Sequence, residues 1–383
     1  MTDTAQTRKP VLPLAAFAAA ALAPVPLLLL GAWAGGLWLW AGFLYMAVLS
    51  ILLDQLVPLA LGDADEGQEF PAADLLLVGI GLSALVVLPV ATWAIAGPSG
   101  LRIGERVLLF FAAGYWLGQV AHPAAHELIH RARRPLFRLG QTVYIALLFG
   151  QHVSAHRLVH HRHVATDRDP NSAREGEGFY RFAGRAWTGS FVEGWRAETA
   201  LRARAQQRQG LHPYAIYLPG YALALAVAFA VAGWAGVAVW IALSLHAQMQ
   251  ILVSDYVQHY GLRRALLADG RAEPVGPQHS WNTAHWFTSA LMLNAPRHSD
   301  HHAHPARPYP ALRLPPETEA PRLPWPLPVA CALAFLPGAW RRAIRPHLRR
   351  WQPRPGSGGG GAGGGREGGA GGGAGRAAKV TQA

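Results

Sequence analysis

Long apolar runs constrain the fold of this chain more than any other feature of its sequence. Four runs, each close to or above the roughly 20 residues that a helix needs to cross a bilayer, precede the first histidine. They lie near residues 11–34, 36–61, 73–97 and 103–121. A further apolar region, 214–254, is about twice that length, and Gly233 and Gly236 near its middle predict a tight turn. We therefore expect an all-α integral membrane protein with about six transmembrane helices.

Charge and histidine content indicate which side of the membrane the polar blocks occupy. An even number of spans returns the chain to the side of its N-terminus, so residues 122–213 and 255–352 should share one face. Every histidine except His246 lies in these two blocks. Residues 122–213 contain 14 Arg against 7 Asp plus Glu, a bias typical of cytoplasmic loops. We attribute the net charge of +12 to orientation in the cell inner membrane, with these blocks in the cytoplasm, and not to nucleic acid binding.

The predicted organisation alternates membrane and cytoplasmic segments. It consists of an N-terminal cytoplasmic segment (1–10), four transmembrane helices (11–121), a histidine-rich cytoplasmic region (122–213), a transmembrane hairpin (214–254), a second such region (255–352) and a Gly-rich disordered tail (353–383). Cys331 is the only cysteine, which excludes an intramolecular disulfide, a Cys-rich zinc site and a fused iron–sulfur or rubredoxin-type module. Any electron carrier must therefore be a separate chain.

Histidines recur at helical spacing directly after the predicted spans. His126 and His130 are four residues apart and so lie on one helix face. With Glu127 they also match the His-Glu-x-x-His pattern of zinc proteases. One zinc ion, however, would leave the other histidine clusters unexplained.

Two later clusters and one further histidine follow the same logic. Residues 156–161 and 298–302 each contain three histidines at spacings that we expect to aim three ring nitrogens toward one side, and His259 follows the last predicted span. The candidate metal ligands are His126, His130, His156, His160, His161, His259, His298, His301 and His302. Nine imidazoles exceed the ligand positions of a single transition metal, so the count favours a dinuclear centre of iron, copper or zinc.

The other histidines fall outside the ligand spacings. We assign no metal to His122, His152, His163, His212, His246, His304 and His347, and we leave His279 and His285 undecided. A ligating imidazole needs an acceptor on its second ring nitrogen to fix its tautomer and orientation. Glu127, Asp255 and Asp300 lie within or beside the clusters and are the candidates for that role, with an ordinary surface charge as the competing interpretation.

These motifs resemble those of the membrane-bound alkane 1-monooxygenase family, a branch of the fatty acid desaturase and hydroxylase group. The resemblance includes the histidine boxes, the stretch 164–177 after the second box and the block 279–313, and it extends over about residues 10–352. It implies that the same nine histidines bind two iron ions, with no haem or flavin. It also implies that rubredoxin, with its reductase, supplies the electrons.

The chain departs from the usual pattern of that family at several positions beside the ligands. Ala155 replaces a Glu and Val159 replaces a Gly in the second box, and Asp255 and Gln258 replace an Asn and a Glu before His259. The ligands are retained, whereas carboxylates beside them are lost. These differences could change metal affinity, substrate or both.

The function we predict is hydroxylation of the terminal methyl group of an alkane. The alkane would enter the protein laterally from the lipid. Trp38 and Trp40 would either line its channel or act as plain interfacial anchors. A competing enzyme class is a desaturase or hydroxylase of a fatty acid, a sterol-like lipid or an alkyl aromatic. A competing class of another kind is a metal transporter or metal-binding membrane protein, whose histidines would line a pathway inside the spans.

Overall fold

The computed structural model describes residues 11–351 except 58, 60 and 206–209. Within these residues the secondary structure is helical, and β pairing is limited to the isolated bridges Leu266–Ala272 and Asn282–Arg322. The predicted all-α class is confirmed for this part of the chain. The predicted N-terminal segment 1–10 and the Gly-rich tail 353–383 lie outside the described residues.

The first two apolar runs form an antiparallel pair of helices. Helix α1 (Leu14–Ala34) and helix α2 (Gly36–Leu56) are joined at Gly35, whose φ of +63° favours glycine. The two helices approach closely beside this turn, because a Cβ atom on Gly31 would lie 2.7 Å from the Leu39 side chain. The small residue at position 31 therefore permits the tight packing.

The next two helices are longer. Helix α3 spans Ala73–Ala96. Helix α4 begins at Ile103, passes through a π-helical turn at Leu117–Ala121 and continues as His122–Ile129. In the described part of the chain, the helices long and apolar enough to cross a membrane are α1, α2, α3 and the later helix α8 (Tyr214–His259). Helix α4 does not meet that criterion. The expected count of six spans stays a prediction.

Helix α8 (Tyr214–His259) consists of two arms that meet at a turn. Ala232 and Gly233 have non-helical backbone angles, and Gly233 has a φ of +59°. A Cβ atom on Gly236 would lie only 2.3 Å from the carbonyl oxygen of Ala228, so the arms fold back on each other at the turn. The second arm extends to His259, which places that histidine on the last turn of a helix.

Shorter helices occupy the polar blocks. They are α5 (Arg134–Ala146), α6 (Gln151–Ala155, a π-helical turn His156–His160, and His161–His163), α7 (Phe179–Arg204), α9 (Trp286–Leu291), α10 (His298–Ala303), α11 (Leu327–Ala334) and α12 (Pro337–Leu348), with 3-10 turns at Pro277–His279 and Tyr309–Ala311.

Polar contacts join the ends of the long helices to the last histidine block. Asp54, near the end of α2, accepts hydrogen bonds from the first backbone N–H groups of α9. Arg131, after α4, pairs with Asp74 at the start of α3 at 3.0 Å. Arg297 pairs with Asp63, between α2 and α3, at 2.6 Å. The end of α2, the start of α3 and the end of α4 therefore lie at the same end of the bundle as the histidines.

The outer faces of the long helices expose apolar side chains. Trp33, Leu37 and Trp234 are 78 to 80% exposed, and Leu75 and Leu82 on α3 are also exposed. A soluble protein rarely presents so much contiguous apolar surface, whereas a protein surrounded by lipid requires it. The chain is a membrane protein.

Candidate metal centre

The nine histidines proposed as ligands converge in the structure. They form a five-histidine group and a four-histidine group, within each of which the possible ligand atoms lie within 4.8 Å of one another. The five-histidine group contains His126, His130, His156, His161 and His301, and the four-histidine group contains His160, His259, His298 and His302. Neither group includes a histidine that the sequence analysis set aside or left undecided.

Adjacent histidines of one box belong to different groups. His160 lies in the four-histidine group and His161 in the five-histidine group, and the neighbours His301 and His302 divide in the same way. The expectation that each box aims three nitrogens toward one side is therefore wrong. Consecutive residues on a helix point about 100° apart, so an adjacent pair faces two different centres.

Distances between ring nitrogens fit shared ions. The Nε2 atom of His156 lies 2.6 Å from that of His126 and 2.8 Å from that of His161. In the other group, Nε2 of His298 lies 3.0 Å from that of His259 and 3.1 Å from that of His302. Nitrogens bound about 2.1 Å from one ion at right angles would lie about 3 Å apart. Both groups therefore have the spacing of a ligand shell.

The protonation state of the rings also suits a metal. Burial lowers the pKa of most of the group histidines well below its ordinary value, and the pKa of His130 to about 3. The strongly lowered set is His156, His161, His298, His301 and His302. A neutral imidazole carries the lone pair that binds a metal. In addition, Nε2 of both His130 and His160 is buried without a hydrogen-bond partner, as expected of atoms that a metal would satisfy.

Asp169 orients one of these rings and was not among the predicted carboxylates. Its Oδ2 accepts a hydrogen bond from Nδ1 of His160 at 2.8 Å, which directs the opposite nitrogen, Nε2, into the four-histidine group. The carboxylate is itself fixed by the Ser172 hydroxyl at 2.7 Å and the Asn171 backbone N–H at 3.0 Å. The sequence signal was the segment after the second box, which the resemblance singled out but to which no role was given.

The three carboxylates predicted for that role bond to other partners. Glu127 accepts from Arg131 and from the backbone N–H of Tyr309. Asp255 accepts from the Asn171 amide at 2.7 Å. Asp300 accepts from His304, Arg307 and the backbone N–H of Arg313. Each carboxylate lies beside a ligand in sequence, and its bonds hold neighbouring segments of the chain in place.

The two undecided histidines are not part of the groups. His279 is buried, with Nδ1 accepting from the Gly276 backbone and Nε2 bonded to Glu273 at 3.0 Å, so both of its nitrogens have structural partners. His285 precedes α9 and its Nδ1 atom is buried without a partner.

A small chamber borders both groups. It has a volume of about 40 Å³, and its wall includes His126, His156 and His301 from one group and His298 from the other. The remaining polar residues of the wall are His122, Glu127, His152, Ser254, Asp255 and Gln258. The chamber is therefore the space in which a reacting atom could approach both histidine groups.

An apolar cavity, the corridor, lies beside the chamber. Its volume is about 260 Å³, and it lies between α4, the second arm of α8 and α11. His122, Ser254 and Met292 line both spaces, so the corridor and the chamber are neighbours at these residues. Helix α11 was not foreseen, although the apolar residues 327–336 signal it; its Cys331 lines the corridor. Trp38 and Trp40 line neither space.

Comparison with known proteins places this geometry in a family. The fatty acid desaturase family profile matches residues 106–354, which include all nine histidines. Alkane 1-monooxygenase 1 of Pseudomonas aeruginosa is 32% identical over 82% of this chain and 84% of its own length. The chain belongs to the alkane 1-monooxygenase branch of the fatty acid desaturase family. Alkane 1-monooxygenase 2 of Alcanivorax borkumensis is 28% identical over 82% of this chain and 84% of its own length.

A relative with another name is about equally similar to this chain. The hydroxylase component of xylene/toluene monooxygenase from Pseudomonas putida is 30% identical over 85% of this chain and 87% of its own length. The alkane 1-monooxygenase branch is therefore supported by several relatives, and overall similarity alone does not fix the substrate of a member.

Two of the family departures, Asp255 and Gln258, lie on the chamber wall. Ala155 and Val159 are buried on α6, next to His156 and His160. Gln258, on the wall, accepts from Ser254 and donates to the Ala295 carbonyl oxygen. These side chains alter what surrounds the nine histidines and leave the two groups intact.

Proposed function

We propose that this protein is a membrane monooxygenase that hydroxylates the terminal methyl group of n-alkanes to give 1-alkanols. The observation that carries the proposal is the convergence of nine buried or part-buried histidines in groups of five and four, with members of both groups lining one small chamber. The curated relatives named alkane 1-monooxygenase, matched over most of this chain, support the reaction class. One oxygen atom of O2 would enter the product and the other would leave as water, with two electrons and two protons supplied from outside.

We propose two iron ions as the cofactor, with no haem or flavin. The nine histidines would hold them, and ring nitrogens about 3 Å apart within each group support that assignment. When bound, the ions would supply the redox chemistry that activates O2. Asp169 would orient His160, and Glu127, Asp255 and Asp300 would hold the surrounding segments in position.

The protein itself would position the substrate. An alkane has no polar group for orientation, so the shape of the corridor must align its chain end with the chamber. The corridor lies between α4, α8 and α11, and its wall is mostly apolar. A chain leaving the lipid there would reach the junction at His122 with its terminal carbon foremost. The small chamber would exclude water from the reacting carbon.

We propose six spans, with the histidine end on the cytoplasmic side of the inner membrane. Helix α4 would be the fourth span, and the two arms of α8 the fifth and sixth. The common position of the end of α2, the start of α3 and the end of α4 beside the histidines supports this alternation. The excess of Arg over acidic residues in block 122–213 supports the cytoplasmic assignment.

The enzyme requires an electron-transfer partner, and we propose rubredoxin with its reductase. A groove of about 670 Å³ beside the second histidine box supports an acidic partner, because six arginines and two carboxylates are among its lining residues. Its floor includes Leu158 and Val159, directly before His160 and His161. An Arg162→Glu, Arg168→Glu double variant should lower turnover driven by rubredoxin and weaken its salt dependence, with metal content unchanged.

A second candidate substrate class is an alkyl aromatic. The similarity to the xylene/toluene monooxygenase component favours it, and the same two groups could oxidise a methyl group on a ring. The corridor would then have to admit a ring rather than a linear chain. Product analysis with octane and with toluene separates the two classes.

The test measures metal and product together on the full chain. The detergent-solubilised protein is analysed for metal, and its turnover of octane, dodecane, toluene and a fatty acid is assayed with rubredoxin, its reductase and NADH. We expect two irons per chain and 1-alkanol as product, with both reduced in a His161→Ala variant and unchanged in a His212→Ala variant. One zinc per chain, no metal, or metal without any oxidised product would contradict the proposal, and the last result would favour a metal-binding or transport protein.

A further inference from the structure

His152 is the one polar residue of the chamber wall without any hydrogen-bond partner among the described residues. It is 3% exposed, and both Nδ1 and Nε2 are buried and unbonded. The other polar residues of the wall that belong to neither histidine group, Glu127, Ser254, Asp255 and Gln258, each have a protein partner. His122 has one as well, because its Nδ1 atom is bonded to the Tyr144 hydroxyl at 2.8 Å.

The His152 ring is held in one position. It stacks on Phe149, with ring centroids 5.0 Å apart, and on His156 at 5.1 Å. The ring of Tyr144 packs against it at 5.0 Å. Phenylalanine would fill the same space without burying two unbonded polar atoms, and buried polar atoms are normally satisfied. An imidazole at this position is therefore best explained by a bound ligand that forms a hydrogen bond with it.

The chemistry of that partner follows from the ring. Neither nitrogen of the His152 ring is bonded to a carboxylate, and a neutral imidazole offers one N–H donor and one acceptor nitrogen. The described wall of the chamber contains no Arg or Lys, whereas Glu127 and Asp255 lie on it, so no cationic side chain of the wall would pair with a carboxylate placed there. A neutral group with an oxygen atom therefore suits the side chains of the wall better than a carboxylate does.

We infer that the chamber binds an uncharged oxygen-bearing group of the substrate, such as a hydroxyl, ether or carbonyl oxygen, through His152 with His122 beside it. The inference rests on the proposed hydroxylation and extends it from n-alkanes, which have no such oxygen, to substrates that carry one. Ring centroids of His122 and His152 lie 5.8 Å apart, and His152 lies 5.1 Å from His156 of the five-histidine group. The oxygen would therefore be only a few bonds from the carbon that is oxidised.

The test compares two probes with equal numbers of non-hydrogen atoms, n-nonane and 1-octanol. Binding of each to the detergent-solubilised full chain is measured by native mass spectrometry at equal free concentration, with partition into detergent subtracted. Wild type should bind 1-octanol about five- to tenfold more tightly than nonane, the size of one neutral hydrogen bond. The His152→Phe variant should lose that preference, and His152→Gln, which keeps a donor and an acceptor, should retain part of it.

A matched control carries the same substitution at a part-buried site elsewhere. His246 lies among the rings of Phe110, Phe111 and Tyr115 and lines neither the chamber nor the corridor, so His246→Phe should keep the preference. Metal content and melting temperature verify that each variant folds. If His152→Phe does not fold, His122→Leu is measured instead, and it should reduce the preference for 1-octanol over nonane.

Equal binding of the two probes by wild type, or an unchanged preference in a folded His152→Phe variant, would overturn the inference. Binding requires no turnover, so its outcome is separate from that of the proposed function. A preference for 1-octanol without any hydroxylated product would refute the proposed reaction and leave the binding site standing.

Discussion

Replacing Asp169 by Asn should weaken one metal site and spare the other. Oδ2 of Asp169 accepts from Nδ1 of His160 at 2.8 Å, and the carboxylate is fully buried. An Asn side chain has one acceptor oxygen, and the Asn171 backbone N–H, which cannot move, would keep it. The NH2 group would then face His160, where it cannot accept that proton. The ring would then have to move its proton to Nε2, the atom that faces the four-histidine group, or lose the hydrogen bond. Either change opposes metal binding.

The magnitude follows from the behaviour of carboxylates that orient metal-binding histidines. Their loss typically lowers metal affinity about 10- to 100-fold, which corresponds to about 1.4 to 2.8 kcal/mol. The assay is a chelator titration of the metal-loaded full chain, with metal per chain measured at each step. We expect wild type to retain two ions, and the Asp169→Asn variant to release one ion at about 10- to 100-fold lower chelator concentration while the five-histidine group keeps its own.

Asp167→Asn is the matched control. Asp167 lies two residues away, its side chain is 81% exposed, and its ion pairs with Arg174 and Arg263 are long, at 3.6 Å. It should behave as wild type. The reasoning is refuted if Asp169→Asn binds both ions with wild-type affinity, or if its melting temperature falls and both ions leave together, since the carboxylate would then act on the fold as a whole.

Further predictions concern stability, substrate length and acid sensitivity. Asp54→Ala removes the bonds to the start of helix α9 and should cost about 2 kcal/mol, seen as a lower melting temperature, with Asp54→Asn losing less. Ala332→Trp should narrow the corridor and lower dodecane turnover more than octane turnover, and an equal loss of both would contradict the proposed path. Burial alone would raise the pKa of Glu177, but the Arg185 guanidinium holds it below its ordinary value. The ionised Glu177 therefore stabilises the fold above the ordinary carboxyl pKa, and this contribution is lost as the pH falls through the lower pKa of the folded state. Glu177→Gln lacks this contribution, so its melting temperature should fall less steeply than that of wild type below about pH 4.3.

Composition and residue spacing predicted the long helices and the candidate metal ligands, because both are local properties of the chain. The first three apolar runs correspond to α1, α2 and α3, and Gly233 marks the turn within α8. Histidine spacing selected all nine residues that the two groups contain. Helical periodicity acts within a few turns, so a single sequence suffices to read it.

The distribution of the histidines between the groups could not be read in this way. It depends on a π-helical turn at His156–His160 and on contacts between segments far apart in the sequence. The Asp169–His160 bond and the place of His152 in the chamber wall also arise from tertiary packing. His152 was set aside because its spacing does not match a ligand, and the structure gives it a position beside the ligands with no partner of its own.

The division of His301 and His302 between the two groups has a consequence for biogenesis. Neither group is complete until residues 298–302 have been synthesised, because each takes at least one member from that segment. Membrane insertion of the preceding helices must therefore come before either ion is fully enclosed. Metal loading would be a late step of maturation, and a ribosome stalled before residue 298 would leave an inserted protein with both ligand shells open.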